Sequence, residues 1–348
     1  MPDFMETLNF NPPGAASGLP NGKGMPQDTG SMQSSPVRLR ELIVAMREVY
    51  AQGRNAMEYA RRAAGTDVNS PEATLIAYDL QAGTYVDAVH RDPLANSRWC
   101  AQLAEILGPI ITGQSSVLEI GCGEATTLAG LIKRLPDKPH ASAGFDISWS
   151  RCAEGIAWLK AQQVAARLFV GDLFAIPMAD ESIDVVYTSH SLEPNGGREV
   201  EALQELLRIT RKTLVIVEPI YELATREAQQ RMRAHGYVTR LRETIAELGG
   251  RVADFRLLPY SNSNNLLNPS GVIVVEKAAA IACTRALPEP ISWRCPLTAT
   301  PLCDAGDVFY SAMTGIAYPV LRGIPLLRPE HAVIASKLQP NLLRDHEA

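Results

Sequence analysis

The sequence predicts an α/β protein: an open, mostly parallel sheet of seven strands with helices on both faces, an N-terminal helical cap and a small β-rich C-terminal module. Three observations carry this expectation. From Ser116 onward, short β-rich runs alternate with helix-compatible stretches. A Gly-x-Gly turn, Gly121-Cys122-Gly123, joins the first of those runs directly to a helix-compatible stretch. Two carboxylates, Asp146 and Asp172, stand at the ends of the next two runs.

At 348 residues the chain can bury a substantial core in one large domain with appendages or in two domains. A hydrophobic share of 46% with 20% charged residues is that of a globular protein. The net charge of -5 lacks the overall basic field of phosphate-backbone binders, so nucleic acid is disfavoured as a partner. No apolar run is long enough to cross a bilayer and the start has no secretory layout, so no membrane partner and a cytoplasmic location are expected. Six sparse, irregularly spaced cysteines (Cys100, Cys122, Cys152, Cys283, Cys295, Cys303) suit reduced thiols better than a disulfide framework.

In chain order, residues 1–35 are rich in Gly, Pro, Ser, Asn and Gln and read as a disordered leader. Residues 36–112 read as the helical cap. Between Pro36 and Ala64 apolar residues recur at helical spacing, and Arg40, Arg47, Arg54 and Arg61 recur every seven residues, as if lining one solvated face. A second helical region runs from about Ser70 to Leu107 and contains Tyr78, Gln81 and Tyr85. Residues 113–279 hold the expected sheet: Val117 to Ile120, Ala141 to Phe145, Arg167 to Val170, Ile183 to Thr188 and Leu214 to Val217. A helix around Thr239 to Leu248 follows. Two final strands, Val252 to Leu258 and Gly271 to Glu276, are expected to form an antiparallel hairpin at the sheet edge. Residues 280–348 turn Pro-rich and short-stranded, a candidate ribbon-like module and tail.

The glycines of Gly121-Cys122-Gly123 permit positive φ and close approach of a ligand, and the helix behind them offers unpaired N–H groups to a nucleotide-like molecule. Asp146 is placed to accept hydrogen bonds from ribose hydroxyls, and Asp172 stands near an adenine amino group. A dinucleotide dehydrogenase would use similar glycines, but Thr126 stands where the third glycine of Gly-x-Gly-x-x-Gly belongs.

These residues resemble those of the class I, Rossmann-like methyltransferases that depend on S-adenosylmethionine (SAM). The resemblance rests on Leu118-Glu119-Ile120-Gly121-Cys122-Gly123, on Asp146, on Gly171-Asp172 with Ile176-Pro177, and on Asp180 to Val186, and it spans roughly residues 75 to 278. It implies SAM as cofactor. By the same resemblance Glu119 and the backbone at Gly121, Cys122 and Gly123 would hold its methionine part, Asp146 with Ile147 the ribose side, and Asp172 with Leu173 the adenine. Tyr85 from the cap and Ser189 at the end of the fourth strand would complete that set.

The loop after the fourth strand, Tyr187 to Asn195, would lie beside the methyl donor, which makes His190 and Glu193 the candidate catalytic residues. A neutral histidine can take a proton from a hydroxyl or amine nucleophile. Packing against the cofactor is the bland alternative for His190, and ordering the loop is the one for Glu193. Glu218-Pro219 and Tyr221 could line the substrate side.

The C-terminal segment from Trp293-Arg294-Cys295-Pro296 to Tyr318-Pro319 and Gly323-Ile324-Pro325 resembles the small zinc-ribbon proteins that activate tRNA and protein methyltransferases. Here Thr298, Ser311 and Thr314 stand where sulfur would be needed, so no metal is expected. The favoured reading is transfer of a methyl group to an oxygen or nitrogen of a small metabolite, a sugar or biosynthetic intermediate. An rRNA or tRNA methyltransferase is the alternative, suggested by the ribbon-like tail, and a catalytically silent partner subunit is the third. Oligomeric state stays open, a homodimer included.

Overall fold

The computed structural model describes residues 36–66, 69–261, 267–277 and 291–338. The leader expected at 1–35 and Cys283 lie outside them. The cap comprises α1 (Pro36–Ala51), α2 (Ala56–Ala64), α3 (Pro71–Leu80), α4 (Thr84–Arg91) and α5 (Pro93–Leu107). Local chemistry sets these boundaries. Asn55, Ser70 and Asp92 each accept a backbone N–H at a helix start, and prolines follow Ser70 and Asp92 at the first helical position. Met46, Val49, Met57, Ala60 and Ala77 form a core shared by α1, α2 and α3. The arginine heptad does not line one helical face. Helix α1 stops at Ala51, Arg54 falls in the turn that follows, and Arg61 belongs to α2. The seven-residue spacing ran through a break that Gly53, at φ +70°, imposes.

The sheet is built from β1 (Ser116–Ile120), β2 (Ala141–Asp146), β3 (Arg167–Val170), β4 (Ile183–Ser189), β5 (Thr210–Pro219), β6 (Arg251–Leu257) and β7 (Ser270–Glu276). Between them run α6 (Thr126–Arg134), α7 (Trp149–Gln162), α8 (Glu199–Ile209), α9 (Arg226–Ala234) and α10 (Leu241–Glu247). The strand order is β3-β2-β1-β4-β5-β7-β6. The first five strands run parallel, while β7 is antiparallel to both β5 and β6, as the hairpin expectation required. The order reverses between β1 and β4, and the crevice outside their carboxyl ends is where such sheets bind ligands.

Side chains alternate between two cores, as the period of a strand demands. Leu118, Val186, Leu214 and Ile216 pack with α8 and α10, while Val117, Val185, Tyr187, Val215 and Val217 pack with Trp99 and Leu103 of α5 and Leu128 of α6. Strands buried on both faces therefore read as near-continuous apolar runs rather than alternating ones.

The C-terminal module contains β8 (Cys303–Asp304), β9 (Val308–Ser311), β10 (Ile316–Leu321), β11 (Ile324–Pro325) and β12 (Val333–Ile334). It extends the β3 edge: Val170 bridges Leu326 in parallel, and Leu327 N–H donates to Val170 O at 2.9 Å. Trp293 stands edge-on to both Phe169 and Phe309, and the Arg167 guanidinium lies over the Trp293 and Phe309 rings. Trp293, Phe309, Tyr318 and Leu327 thus belong to the same core as Phe145 and Phe169.

Among the described residues no three His, Cys, Asp or Glu side chains gather as a metal site would need. Cys295 Sγ instead lies 3.3 Å from the Tyr318 hydroxyl, and the hydroxyls of Thr298, Thr300 and Ser311 are linked at 2.9 and 2.7 Å. Hydrogen bonds among hydroxyls join the two loops there. Among the described residues, no helix is long and apolar enough to cross a membrane.

Candidate cofactor and acceptor site

The turn after β1 takes its shape from backbone conformations that only glycine adopts cheaply. Gly121 and Gly123 have φ of +60° and +53°. A Cβ on Gly121 would stand 2.4 Å from Ser191 Cβ, and one on Gly123 would stand 2.9 Å from the Tyr85 ring. The first glycine admits the loop after β4, and the second admits the cap. Ala125, the residue before helix α6, is in left-handed conformation and supplies no side-chain cap, so the first N–H groups of the helix remain for a ligand. Asp146 Oδ2 accepts Gly123 N–H at 3.0 Å, while Oδ1 accepts Ser148 N–H at 2.9 Å. This carboxylate ties the glycine turn to the end of β2. Burial raises its pKa, against the opposing pull of the Arg151 guanidinium and those N–H donors.

A buried charged cluster fastens the cap to these same loops. Glu124, fully buried, accepts Gly83 N–H at 2.9 Å and Val86 N–H at 2.7 Å, which satisfies the start of α4. Arg151, 1% exposed, donates from Nε to Tyr78 O at 2.9 Å and from Nη2 to Gln81 Oε1 at 3.1 Å, and its Nη1 lies 3.8 Å from Glu124 Oε1. The guanidinium also stacks on the Tyr85 and Tyr78 rings, 4.3 and 5.1 Å from their centroids. Ser148, the N-cap of α7, donates its hydroxyl to Asp79 Oδ1 at 2.8 Å. Residues 78–86 of the cap are therefore anchored to the residues immediately following Gly123 and Asp146. Burial, together with the nearby Tyr85 and Glu193, drives the Tyr78 phenol upward.

At the other end of the crevice, the loop after β4 carries His190 in left-handed conformation, φ +57°. A non-glycine residue held there marks a strained position of the kind that clusters at functional sites. His190 Nδ1 lies 3.0 Å from Glu193 Oε2, and Nε2 lies 2.8 Å from Ser270 Oγ at the start of β7. Trp99 meets the imidazole edge-on at 5.4 Å and donates its indole N–H to Ser189 Oγ at 3.2 Å. Burial alone would lower the imidazole pKa. The Glu193 carboxylate, its hydrogen bond and Glu218 outweigh that effect and hold the pKa above its ordinary value.

The structure brings Tyr85, Gly121, Gly123, Asp146 and Ser148 together at one end and Ser189, His190 and Glu193 at the other. Ile147 is half-buried next to Asp146. Asp172 and Leu173 follow β3 at the same edge of the sheet, Asp172 accepting Phe174 N–H at 2.9 Å. Cys122 turns its side chain inward, where a Cβ on Gly144 would stand 2.9 Å from its sulfur, so only its backbone faces the turn. Glu119 lies on the α5–α6 side of the sheet, and burial pushes it up to about 8 against the pull of the Tyr187 hydroxyl and the Leu128 backbone.

Arg151 and Ser270 carried no assignment in the sequence reading, and Glu124 was quoted without a role. Arg151 had a signal: it precedes Gly155 and Leu159 at i+4 and i+8, both buried, which places an arginine on an inward helix face. Ser270 had none, because its partner lies 80 residues away in the chain.

Among the described residues, Ser191 Oγ beside Gly121 and Thr127 Oγ1 in the first turn of α6 are buried without a hydrogen-bond partner. Buried polar groups are otherwise almost always satisfied. A polar, cationic and nucleoside-bearing molecule such as SAM suits these acceptors, the uncapped start of α6 and the Asp146 carboxylate.

Residues 117–213 match the protein family described as "Methyltransferase domain". No curated protein matches the chain in sequence. Among solved structures, the Synechocystis PCC 6803 magnesium protoporphyrin IX methyltransferase is 15% identical over 59% of this chain and 100% of its own, with a TM-score of 0.45. A chain of the Haloferax volcanii complex containing the Trm112 methyltransferase activator is 17% identical over 57% and 96%, TM-score 0.44. The geranyl diphosphate C-methyltransferase of Streptomyces coelicolor A3(2) is 10% identical over 51% and 79%, TM-score 0.41. The assignment rests on the family match and the site rather than on these distant likenesses. Residues 117–213, which hold the glycine turn and Asp146, thus form a methyltransferase domain, and the cofactor that goes with it is SAM.

Proposed function

We propose that the chain methylates an oxygen or nitrogen of a small metabolite, a sugar or biosynthetic intermediate, inside a crevice closed by its own N-terminal cap. The observation that carries this reading is the clamp of residues 78–86 onto Glu124, Ser148 and Arg151, which roofs the carboxyl ends of β1 and β2. An enclosed crevice suits a small acceptor better than a polymer. Its acidic groups, Asp146 and Glu193, oppose entry of a polyphosphate backbone.

When bound, SAM supplies an electrophilic methyl group on a sulfonium. We assign its binding to Glu119, the backbone at Gly121 to Gly123, Asp146, Ile147, Asp172, Leu173, Tyr85 and Ser189. The protein then has to exclude water, align the acceptor and provide for its proton. Tyr78 and Tyr85 serve the first task. His190 is the candidate base, but both its ring nitrogens are already engaged, by Glu193 and Ser270. With Nδ1–H donated to Glu193, Nε2 is the basic nitrogen, so taking a substrate proton requires it to release the Ser270 hydroxyl.

Methyl-labelled SAM incubated with the protein and either metabolite extracts or RNA tests the substrate class. We expect label in molecules that pass a membrane retaining RNA; label confined to the RNA fraction would overturn the reading. With an acceptor in hand, His190→Ala should lower turnover about 10²-fold or more while leaving SAM binding intact. Its raised pKa places the loss of wild-type rate, as pH falls, above the pH expected of an ordinary histidine. An unchanged rate in the variant would remove His190 as base.

A further inference from the structure

The carboxylate of Glu218 is fully buried, so it cannot touch an acceptor, yet it is the most heavily used side chain at this end of the sheet. Its Oε1 accepts Ser191 N–H at 3.0 Å and Leu192 N–H at 3.1 Å, and its Oε2 accepts Glu193 N–H at 3.1 Å. Three consecutive backbone donors thus converge on one side chain from the neighbouring strand. A loop leaving a parallel strand has no ladder partner for these groups, and leaving them unmet in the interior would cost about 1–3 kcal/mol each. Only a carboxylate presents enough acceptor sites, because an amide of the same shape offers one oxygen and turns an NH2 group toward the remaining donors.

The consequence for the site is geometric. His190 immediately precedes the first anchored residue, and Glu193 is itself the last. The left-handed twist at His190 is followed directly by the three N–H groups held on Glu218. Glu193 can reach Nδ1 of His190 only because the turn between them is closed. We propose that Glu218 is a positioning residue: its carboxylate is the template on which the Ser191–Glu193 turn folds, and through that turn it fixes the His190–Glu193 pair at the mouth of the crevice. The significance for catalysis rests on His190 and Glu193 facing the acceptor; the positioning itself does not, and it is tested without one. Charged groups facing Glu218 are His190 and Glu193 on the same loop. Burial, opposed by His190, raises Glu218 to about 7, so its ionised form titrates in an accessible range.

The test is amide hydrogen exchange and histidine-ring NMR on the full chain. In Glu218→Gln, exchange at Ser191, Leu192 and Glu193 should accelerate at least about tenfold relative to the β5 amides of Val215 and Val217, which serve as internal controls. The His190 ring should titrate at a lower pH, because a facing negative charge has been removed. Calorimetric affinity for S-adenosylhomocysteine should change less than about threefold. Loop exchange and His190 titration both as in wild type would overturn the proposal. If the variant does not fold, the wild type decides: the three amide resonances should move together with one midpoint near 7. Amides that stay fixed across that range would overturn it equally. Failure of the methyl-acceptor assay would leave these readouts untouched, so the two ideas fail separately.

Discussion

The two appendages of the sheet are attached by different physics. Beyond the apolar packing of α5 on the sheet, the N-terminal cap is held at residues 78–86 by polar groups: the buried Arg151 and Glu124, with Ser148, meet backbone and side-chain partners there. The C-terminal module is held by rings, aliphatic packing and a strand bridge, Trp293 between Phe169 and Phe309 and Leu326 beside Val170, with its ion pairs, Arg167 to Asp304 and Arg294 to Asp180, left at the partly exposed surface. Apolar contacts are indifferent to what lies in the crevice, whereas charges beside Gly123 and Asp146 respond to any charged ligand placed there. On the proposed reading the cap belongs to the site, and the module belongs to the scaffold.

The largest effect that can break this contrast comes from the cap. Arg151→Leu leaves Glu124 buried without its cation, and removing one partner of a buried pair costs about 3–5 kcal/mol. Denaturant unfolding should show that loss, and calorimetry should show weakened binding of S-adenosylhomocysteine in whatever fraction stays folded. An unchanged affinity would detach the cap from the site. Trp293→Ala should destabilise by about 3 kcal/mol through the cavity it leaves, yet keep cofactor affinity within about threefold. A large drop in affinity there would make the module part of the site after all.

A smaller effect is set by pH and arises in the sheet that both regions flank, at β1 and β5. Burial raises Glu119 from 4.5 to about 8 and Glu218 from 4.5 to about 7. The unfolded chain releases these protons at lower pH than the folded one, so stability should fall as pH rises from about 4.5 toward 8. Each group contributes at most about 1.4 kcal/mol per pH unit across its own interval. Glu119→Gln should flatten the upper part of this decline. An equally steep decline in that variant would place the titrating group elsewhere.

Much of the sheet was legible because parallel strands buried on both faces leave continuous apolar runs, and Arg167–Val170 was placed to the residue. The glycine turn was legible because Gly121 and Gly123 punctuate a strand-to-helix junction. What escaped depended on tertiary pairing. The arginine spacing at 40, 47, 54 and 61 ignored the break at Gly53. The engagement of both His190 nitrogens could not be read from a loop whose second partner, Ser270, lies on a different strand. Helix α9 carries four charged residues in nine and shows little apolar periodicity, so nothing in its sequence announced it. Thr298 and Ser311 were read only as missing sulfur, and Thr300, whose hydroxyl links the two, was not singled out.

The most direct test of a site shared by cap and sheet is hydrogen exchange across the whole chain with and without S-adenosylhomocysteine. The account predicts added protection in residues 121–125 and 146–151 and, with them, in residues 78–86, while residues 303–311 of the module stay unchanged. Protection at the glycine turn with none in residues 78–86 would contradict it.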